Sequence, residues 1–219
     1  MASFFREKYL DEVTSLDVER YKAQRSQKMS PATVNRELAC LKHMFNKAIE
    51  WGKVKENPFS KVKLFREDNT RIRYLGREEV KALLDACAEH LRPIVINALN
   101  TGMRKSEILN LKSNVDLIHG KIYIRDSKSG RPRDVDINQW LADALIEIPK
   151  HPRSTYLFCD RDGKQYQNVR RSFETAKRRA WVENLWFHDL RHNLASHLAM
   201  AGVGSKTLQE ILGQVKTIE

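Results

Sequence analysis

Basic and imidazole side chains crowd into residues 186–203, whose sequence is WFHDLRHNLASHLAMAGV. Within this stretch, His188 and Arg191 are three residues apart, so they project side by side from the start of a helix. A helix start carries the positive end of the macrodipole and free backbone N–H groups, which together favour an anion. The pattern is therefore typical of an anion site, or of an ordinary capped and solvated helix start.

Two further basic positions could contribute to such a site. Arg104 follows a Thr-Gly break in TGMRKSE, and Glu107 lies one turn further on, where its carboxylate can hold the guanidinium. Lys128 lies in SKSGRP, at the tip of a predicted hairpin. Arginine binds two phosphate oxygens with a planar fork and does not deprotonate. Taken singly, these residues are also explained as a surface arginine and a turn lysine.

The charge of the chain points to a polyanionic partner. Its 219 residues include 39 Lys and Arg against 28 Asp and Glu, a net charge of +11 that a fold does not need. No run approaches the ~18 apolar residues of a membrane-spanning helix, and no apolar segment near the N-terminus resembles a signal peptide. We expect an intracellular protein.

The cysteines and histidines do not indicate a disulfide or a metal site. Cys40, Cys87 and Cys159 are odd in number and far apart, and the first two lie on or beside apolar helix stripes. They are predicted to be small core residues in a reducing compartment. His188 and His192 have the spacing of a metal-ligand pair, but no third ligand is evident.

The first third of the chain is predicted to be helical. One helix should run from about residue 15 to 25, and Ser30-Pro31 provides an N-cap and a first-turn proline for a longer helix that Gly52 ends. The apolar stripe of the long helix is Val34, Leu38, Leu41, Phe45 and Ala48. Its opposite face is predicted to carry Asn35, Arg36, Lys42 and Lys47.

The remaining pattern predicts a mainly α protein, in the α+β class, with a small antiparallel sheet. Residues 66–75 are polar and aperiodic and should link a helical domain, 1–65, to a second domain, 76–219. Helices are expected at 76–88, at 92–100, from 104 and from 167, while KIYIRD, RDVDIN and TYLFCD should form three strands. Val169, Phe173, Ala176 and Ala180 should face inward. Arg170, Arg171, Lys177, Arg178 and Arg179 should face outward. The helix after His188 should bury Leu190, Leu194, Leu198 and Ala201.

The order of these motifs resembles the tyrosine site-specific recombinases of the phage integrase family. TGMRKSEILNLKSNVDL, SKSGRPRDVDI and FHDLRHNLASHLAMAGV followed by LQEILG resemble the catalytic domain. SPATVNRELACLKHMFNKAIEWGKVKENP resembles the helical core-type DNA-binding domain. The resemblance covers nearly the whole chain, and the ordered set is far more specific than a lone HxxR.

The resemblance implies strand cleavage and rejoining through a 3′-phosphotyrosine, without metal or cofactor. Arg104 and Arg191 would bind the non-bridging phosphate oxygens, Lys128 would protonate the departing 5′ oxygen, and His188 would handle the tyrosine proton or bind the phosphate. Glu107 would be a supporting residue. The resemblance further implies DNA contacts from Thr33, Asn35, Arg36 and Lys42. His192 and His197 match no catalytic position, so packing or solvent accounts for them.

The sequence departs from the family pattern at two places. Gln214 occupies the position where the family has His or Trp; it can still donate an N–H but carries no charge. The nucleophilic tyrosine of the family should lie beyond Glu219, and neither Tyr156 nor Tyr166 matches it. The chain therefore resembles a recombinase fragment truncated at both ends, whether by design or in nature.

The implied partner is double-stranded DNA, held in a clamp between the long helix of the first domain and the basic site. The same resemblance implies self-association of the full-length protein as a tetramer on DNA, and a cytoplasmic, nucleoid-associated location for a bacterial or phage-encoded protein. A DNA-binding regulator or competitor that has lost the chemistry is the alternative, favoured by Gln214 and by the missing tyrosine. RNA binding has little support because no RNA-binding motif is present.

Overall fold

The computed structural model of the protein describes residues 4–67, 73–112, 115–125 and 132–213. The chain divides into two compact units, Met1–Arg71 and Ile72–Glu219. Helices dominate both, and one small antiparallel sheet lies in the second, so the predicted fold class is confirmed. Across the described ranges, no helix is both long enough and apolar enough to cross a bilayer.

The first unit is built on two helices whose starts follow from their capping residues. Helix α1 spans Ser15–Ser26, and the side chain of Thr14 accepts a backbone N–H from its first turn. Helix α2 spans Pro31–Glu50, with Ser30 as its N-cap and proline where no hydrogen bond is needed. A 3₁₀ turn, Leu10–Glu12, precedes them. The apolar core of this unit is Val13, Val18, Tyr21, Val34, Leu38, Leu41, Phe45, Ala48, Val54 and Phe59.

The apolar stripe predicted for α2 is confirmed, but its outward face differs from the prediction. Asn35 is only 5% exposed. Its amide nitrogen donates to the Phe65 carbonyl at 2.9 Å and to Glu67 at 2.6 Å, and its oxygen accepts the Phe65 N–H at 2.9 Å. Asn35 therefore fastens the chain after α2 to that helix. Arg36 and Lys42 are exposed as predicted.

Cys40 and Lys47 also lie in other environments on α2 than predicted. Cys40, predicted to be a core residue, is exposed, because it lies two residues after Leu38 and so faces away from the buried stripe. Lys47 is half-buried and forms an ion pair with Glu50 at 2.7 Å. Helical periodicity therefore placed the apolar residues of α2 better than it placed its small and polar ones.

The second unit contains seven helices and one hairpin within the described residues. Its core forms where α4 packs on α6 and α8, and where α3 packs on α7. The helices are α3 (Arg77–Ala86), α4 (Arg92–Thr101), α5 (Lys105–Leu109), α6 (Gln139–Ile146), α7 (Arg170–Arg179), α8 (Asp189–Met200) and α9 (Ser205–Leu212). The strands are β1 (Lys121–Ile124) and β2 (Arg133–Asp136).

The hairpin pairs β1 with β2 in antiparallel register, and Ile122 opposite Val135 provides its buried face. The prediction of a third strand at TYLFCD is wrong in the described structure. Residues 156–159 form only isolated bridges, and Leu157 and Phe158 are buried in succession. Two adjacent inward side chains break the period of two that a strand requires.

Helix α8 begins where the sequence predicted but buries a different set of residues. Leu190 is fully buried, whereas Leu194 and Leu198 are half-buried and Ala201 is exposed beyond the helix end, so the predicted stripe is only partly correct. Two polar side chains, Arg191 and Asn193, are buried instead. A helix that buries polar groups cannot be placed by apolar periodicity alone.

Polar contacts also shift two other residues from their predicted places. Leu75, predicted to lie in the linker, is fully buried, and its N–H donates to Asn193 at 2.7 Å. Lys177, predicted to face outward on α7, has a side chain only 11% exposed, which donates to the Leu185 carbonyl at 2.6 Å. The second unit is therefore packed from at least Leu75 onward.

Candidate functional site

Arg104 is placed by the sharp turn between α4 and α5. Thr101 ends α4, and its hydroxyl accepts the N–H of Met103 at 3.1 Å. Gly102 follows with φ of +59°, a conformation that a side chain would strain. A Cβ at Gly102 would also meet the side chain of Leu212 at 2.8 Å. The Thr-Gly pair is therefore needed to direct Arg104 into the start of α5.

Glu107 holds Arg104 from one turn into α5. One carboxylate oxygen accepts the backbone N–H of Arg104 at 2.8 Å, and the other accepts its guanidinium at 2.8 Å. The Glu107 side chain is 4% exposed and that of Arg104 is 25% exposed. The carboxylate is thus buried behind a guanidinium that still reaches solvent.

A third arginine, which no sequence motif indicated, shares the same carboxylate. Arg133, the first residue of β2, donates to both oxygens of Glu107, at 3.2 and 2.8 Å. Burial alone would raise the pKa of Glu107, but the hydrogen bonds from Arg133 and Arg104 outweigh it and lower the pKa. Arg133 lies directly after SKSGRP, and no spacing rule links it to Glu107, so the residue pattern did not indicate this contact.

Arg191 joins the ends of two helices. Its guanidinium donates to the carbonyl of Gly102 at 2.6 Å, next to the end of α4, and to the carbonyl of Leu212, the last residue of α9. A cation suits the negative end of a helix. Arg191 is only 3% exposed. Burial, and secondarily the charges of Arg104 and Arg133, lower its pKa to about 10, which leaves it charged at neutral pH.

His188 lies at the start of α8, as predicted, one turn before His192. The two imidazole rings meet edge to face, with centroids 4.9 Å apart. His188 is exposed as a residue, but partial desolvation of its ring, followed by the nearby charges of His192 and Arg191, lowers its pKa below the ordinary value. At neutral pH the ring is therefore neutral and able to accept a proton. Among the described residues, no group of three metal-ligating side chains accompanies the histidine pair.

Lys128 and Gln214, two predicted site residues, lie outside the described residues. The described parts of the chain next to them are the hairpin strands β1 and β2 and the residue Gly213. Gly213 ends α9 with φ of +58° and lies against the Arg133 side chain, since a Cβ there would meet its Nη1 at 2.8 Å.

The structure thus brings part of the predicted site together. Arg104, Glu107 and Arg191 surround the turn at Gly102, with Arg133 added to them. The cluster combines three guanidinium groups with the carboxylate of Glu107, so its net charge is positive, which suits a phosphate. The predicted contacts of the first unit belong to another set: Arg36 and Lys42 are exposed on α2, and the hydroxyl of Thr33 lies 3.0 Å from that of Ser30.

Comparison with known protein families agrees with this geometry. Residues 73–216 match the phage integrase family, and residues 1–66 match the N-terminal domain of phage integrases. The chain therefore belongs to the phage integrase family, as the motifs predicted. It is 31% identical to the integrase of Escherichia phage P2 over 210 residues, which cover 94% of this chain and 59% of that protein.

Other relatives extend the same result. The shufflon-specific DNA recombinase of Escherichia coli is 32% identical over 215 residues, covering 92% of this chain and 54% of that protein. The chain thus spans only about half to six tenths of the length of these relatives. Among solved structures, a lambda integrase dimer bound to a core site has a TM-score of 0.81 at 18% identity, covering 99% of this chain and 86% of the other. At that identity, the likeness shows the fold.

Proposed function

We propose that this chain is the DNA-binding and phosphate-activating part of a site-specific tyrosine recombinase. Such an enzyme cleaves and rejoins DNA strands through a 3′-phosphotyrosine. The observation that carries the proposal is that Arg104 and Arg191 both lie at the Gly102 turn, where hydrogen bonds hold Arg104 to Glu107 and Arg191 to the Gly102 carbonyl. Positive charge that is held in place before the reaction stabilises the charge that grows on a phosphate in the transition state.

In this proposal, Arg104 and Arg191 bind the two non-bridging oxygens of the scissile phosphate. Arg104 is partly exposed and can do so directly. Arg191 uses two of its five N–H groups on helix-end carbonyls, which leaves others for an oxygen. Because Arg191 is 3% exposed, DNA binding must open a path to its guanidinium.

The proposed chemical step is a transesterification. The tyrosine oxygen forms a bond to phosphorus, and the bond from phosphorus to the 5′ oxygen breaks. Lys128 gives a proton to that leaving oxygen, and His188, neutral at pH 7, accepts the tyrosine proton. Gln214 donates an N–H to the phosphate in place of the family's His or Trp. The nucleophile in this step is the tyrosine that the resemblance to the family implies, and this sequence has no tyrosine after Tyr166.

We propose that the first unit adds backbone contacts to the same duplex. Arg36 and Lys42 are exposed on α2 and can each neutralise a phosphate, with Thr33 beside them. Asn35 supports this surface from inside and does not touch DNA. Self-association on DNA is part of the proposal, supported by a similar lambda integrase that was solved as a dimer on a core site.

The experiment is a covalent-trapping assay on the chain extended by a short C-terminal segment that carries the family's tyrosine, called here the extended chain. A pool of nicked duplexes with random sequence beside the nick removes the need to know the target. We expect detergent-resistant protein–DNA adducts from the extended chain and none from the 219-residue chain. Steeply salt-dependent binding of both chains without any adduct would favour the inactive DNA-binding alternative.

A further inference from the structure

Arg133 is built into the site more firmly than a surface strand residue needs to be. It begins β2, and its guanidinium spans both oxygens of Glu107 in a bidentate pair, at 3.2 and 2.8 Å. The two side chains are 10% and 4% exposed. Bidentate pairing fixes the orientation of the carboxylate as well as its charge.

Stability alone does not account for this burial. Glu107 already accepts two hydrogen bonds from Arg104. The Nε of Arg133 is buried without a hydrogen-bond partner in the described part of the chain, which is unfavourable for stability. A buried ion pair is often no more stabilising than an apolar pair of the same volume, so the pair is better explained by the geometry it enforces.

Arg133 also contacts the end of α9. A Cβ on Gly213 would lie 2.8 Å from Nη1 and 2.9 Å from Cδ of Arg133, so the side chain packs directly on the glycine turn. Strand β2 is the arm of the hairpin that follows Lys128 in the sequence, and Gly213 immediately precedes Gln214. One side chain therefore connects the hairpin, the carboxylate behind Arg104 and the segment before Gln214.

We propose that Arg133 is a positioning residue, which ties the base of the hairpin to Glu107 and thereby holds Arg104 in the orientation that binds phosphate. It acts through Glu107 and does not touch DNA. The claim that Arg104 binds phosphate rests on the proposed function, whereas the coupling of Arg133 to Arg104 through Glu107 does not. Two other roles give different results: a direct contact to phosphate, and a contribution to folding only.

The first test uses the 219-residue chain without DNA, so that it is independent of recombinase activity. Arg133→Met keeps the length of the side chain and removes the charge, and Arg133→Lys keeps the charge but loses the fork. Arg125→Met is the matched control, because Arg125 directly follows β1, its side chain is 66% exposed, and its guanidinium lies 3.9 Å from the carboxylate of Asp134. NMR gives the pKa of Glu107 from the chemical shift of its carboxyl carbon as the pH changes, and it also follows the Nε–H signal of Arg104.

We expect Arg133→Met to raise the pKa of Glu107, since burial is then opposed only by Arg104, and to shift the Arg104 Nε–H signal and speed its hydrogen exchange. Arg133→Lys should change both quantities less than Arg133→Met does, and Arg125→Met should change neither. An unchanged Arg104 signal in a folded Arg133→Met protein overturns the proposal. If the methionine variant does not fold, the lysine variant decides, because loss of the fork alone must then disturb Arg104.

The second test measures single-turnover cleavage by the extended chain across DNA concentrations. We expect Arg133→Met to lower the saturating rate on the order of 10–10²-fold, the effect of a misplaced group, while the DNA concentration for half-saturation stays nearly unchanged. Adding Arg133→Met to Glu107→Gln should cost little more than Glu107→Gln alone, since both act through one carboxylate.

The outcomes separate the two proposals. If the rate losses of Arg133→Met and Glu107→Gln are additive, or if Arg133→Met raises the DNA concentration needed for half-saturation, Arg133 contacts DNA and the positioning role is overturned. If the unmutated extended chain binds DNA but does not cleave it, the proposed function fails, and the NMR result alone decides whether Arg133 positions Arg104.

Discussion

Helices α2 and α8 both carry basic residues, but they hold them in opposite ways. On α2 the apolar stripe is fully buried, and Arg36 and Lys42 extend into solvent. On α8 the apolar stripe is only partly buried, and Arg191 is turned inward onto two helix-end carbonyls. Exposed charges can adapt to a DNA backbone, whereas a buried arginine is held in one orientation before any ligand arrives.

The difference predicts that the basic residues of α2 contribute to DNA affinity and that those of the α8 site contribute to the cleavage step. A flexible surface cation contributes phosphate neutralisation, which sets the salt dependence of binding. A fixed guanidinium contributes to the transition state, because it needs no reorganisation when charge develops. Variants of α2 should therefore change DNA binding, and variants of the α8 site should change the rate at saturating DNA.

The largest expected effect follows from removing a fixed guanidinium. Arg191→Ala or Arg104→Ala in the extended chain should lower the saturating cleavage rate on the order of 10²–10³-fold, the loss typical of one preorganised charge-stabilising donor. Single-turnover kinetics on the duplex selected in the trapping assay measure it. Arg36→Ala is the control and should cleave at nearly the parental rate once DNA is saturating. Equal losses in all three variants would remove the distinction between the helices.

The next effect concerns stability in the first unit. Asn35→Ala should destabilise the protein by about 1–3 kcal/mol, because the part-buried N–H and carbonyl of Phe65 both lose their partner. Urea unfolding measures the change, and Lys42→Ala, at an exposed site on the same helix, should leave the free energy of unfolding nearly unaltered. A stable Asn35→Ala protein with weakened DNA binding would restore Asn35 as a DNA contact.

A smaller effect is expected on the salt dependence of binding. Arg36→Ala and Lys42→Ala should each reduce the slope of log K against log salt by about 0.9, the value for one phosphate contact on duplex DNA. Fluorescence anisotropy with a labelled duplex at several salt concentrations gives the slope. Asn35→Ala should keep the parental slope. A parental slope near zero would exclude DNA as the partner.

The smallest effect is a pH dependence of stability from His188. Its pKa is lowered in the folded protein, by burial and then by His192, Arg191 and Arg104, with Asp189 opposing. The unfolded chain then binds more protons, so stability contributed by His188 is present above the ordinary histidine pKa and declines as the pH falls below it. Thermal unfolding between about pH 7 and 5 should show a smaller decline in His188→Asn.

His197→Asn supplies the control for that measurement, since His197 lies near the far end of α8, whereas His188 caps its start. It should decline with pH as the parent does. A parental profile in His188→Asn would mean that the lowered pKa of His188 has no measurable effect on stability.

The sequence predicted the helices well where packing alone shapes them. Ser30-Pro31 and the five apolar positions of α2 were sufficient for that helix, and the threonine that ends α4 and the glycine after it were sufficient to place Arg104. Helix α6 was not predicted, although Asn138 caps it, because its eight residues are too few for a clear period.

The site was predicted only as far as motifs extend. The spacing of Arg104 and Glu107 indicated their pair, and the structure forms it. Arg133 was missed because its partner lies across the fold, and the burial of Arg191 was missed because its acceptors are carbonyls of α4 and α9. Backbone acceptors leave no trace in a residue pattern, so long-range polar contacts must be read from structure.

The central claim is that Arg104 and Arg191 act on the negative charge of the scissile phosphate. The most direct measurement replaces that phosphate with an uncharged methylphosphonate and compares cleavage by the extended chain with cleavage by its Arg104→Ala and Arg191→Ala variants. With the charge removed, the guanidinium has little left to stabilise, so the variants should cleave nearly as fast as the parent, although they fail on the normal phosphodiester. A defect of the same size on both substrates would contradict the claim and would place these arginines in the structure of the protein and outside its chemistry.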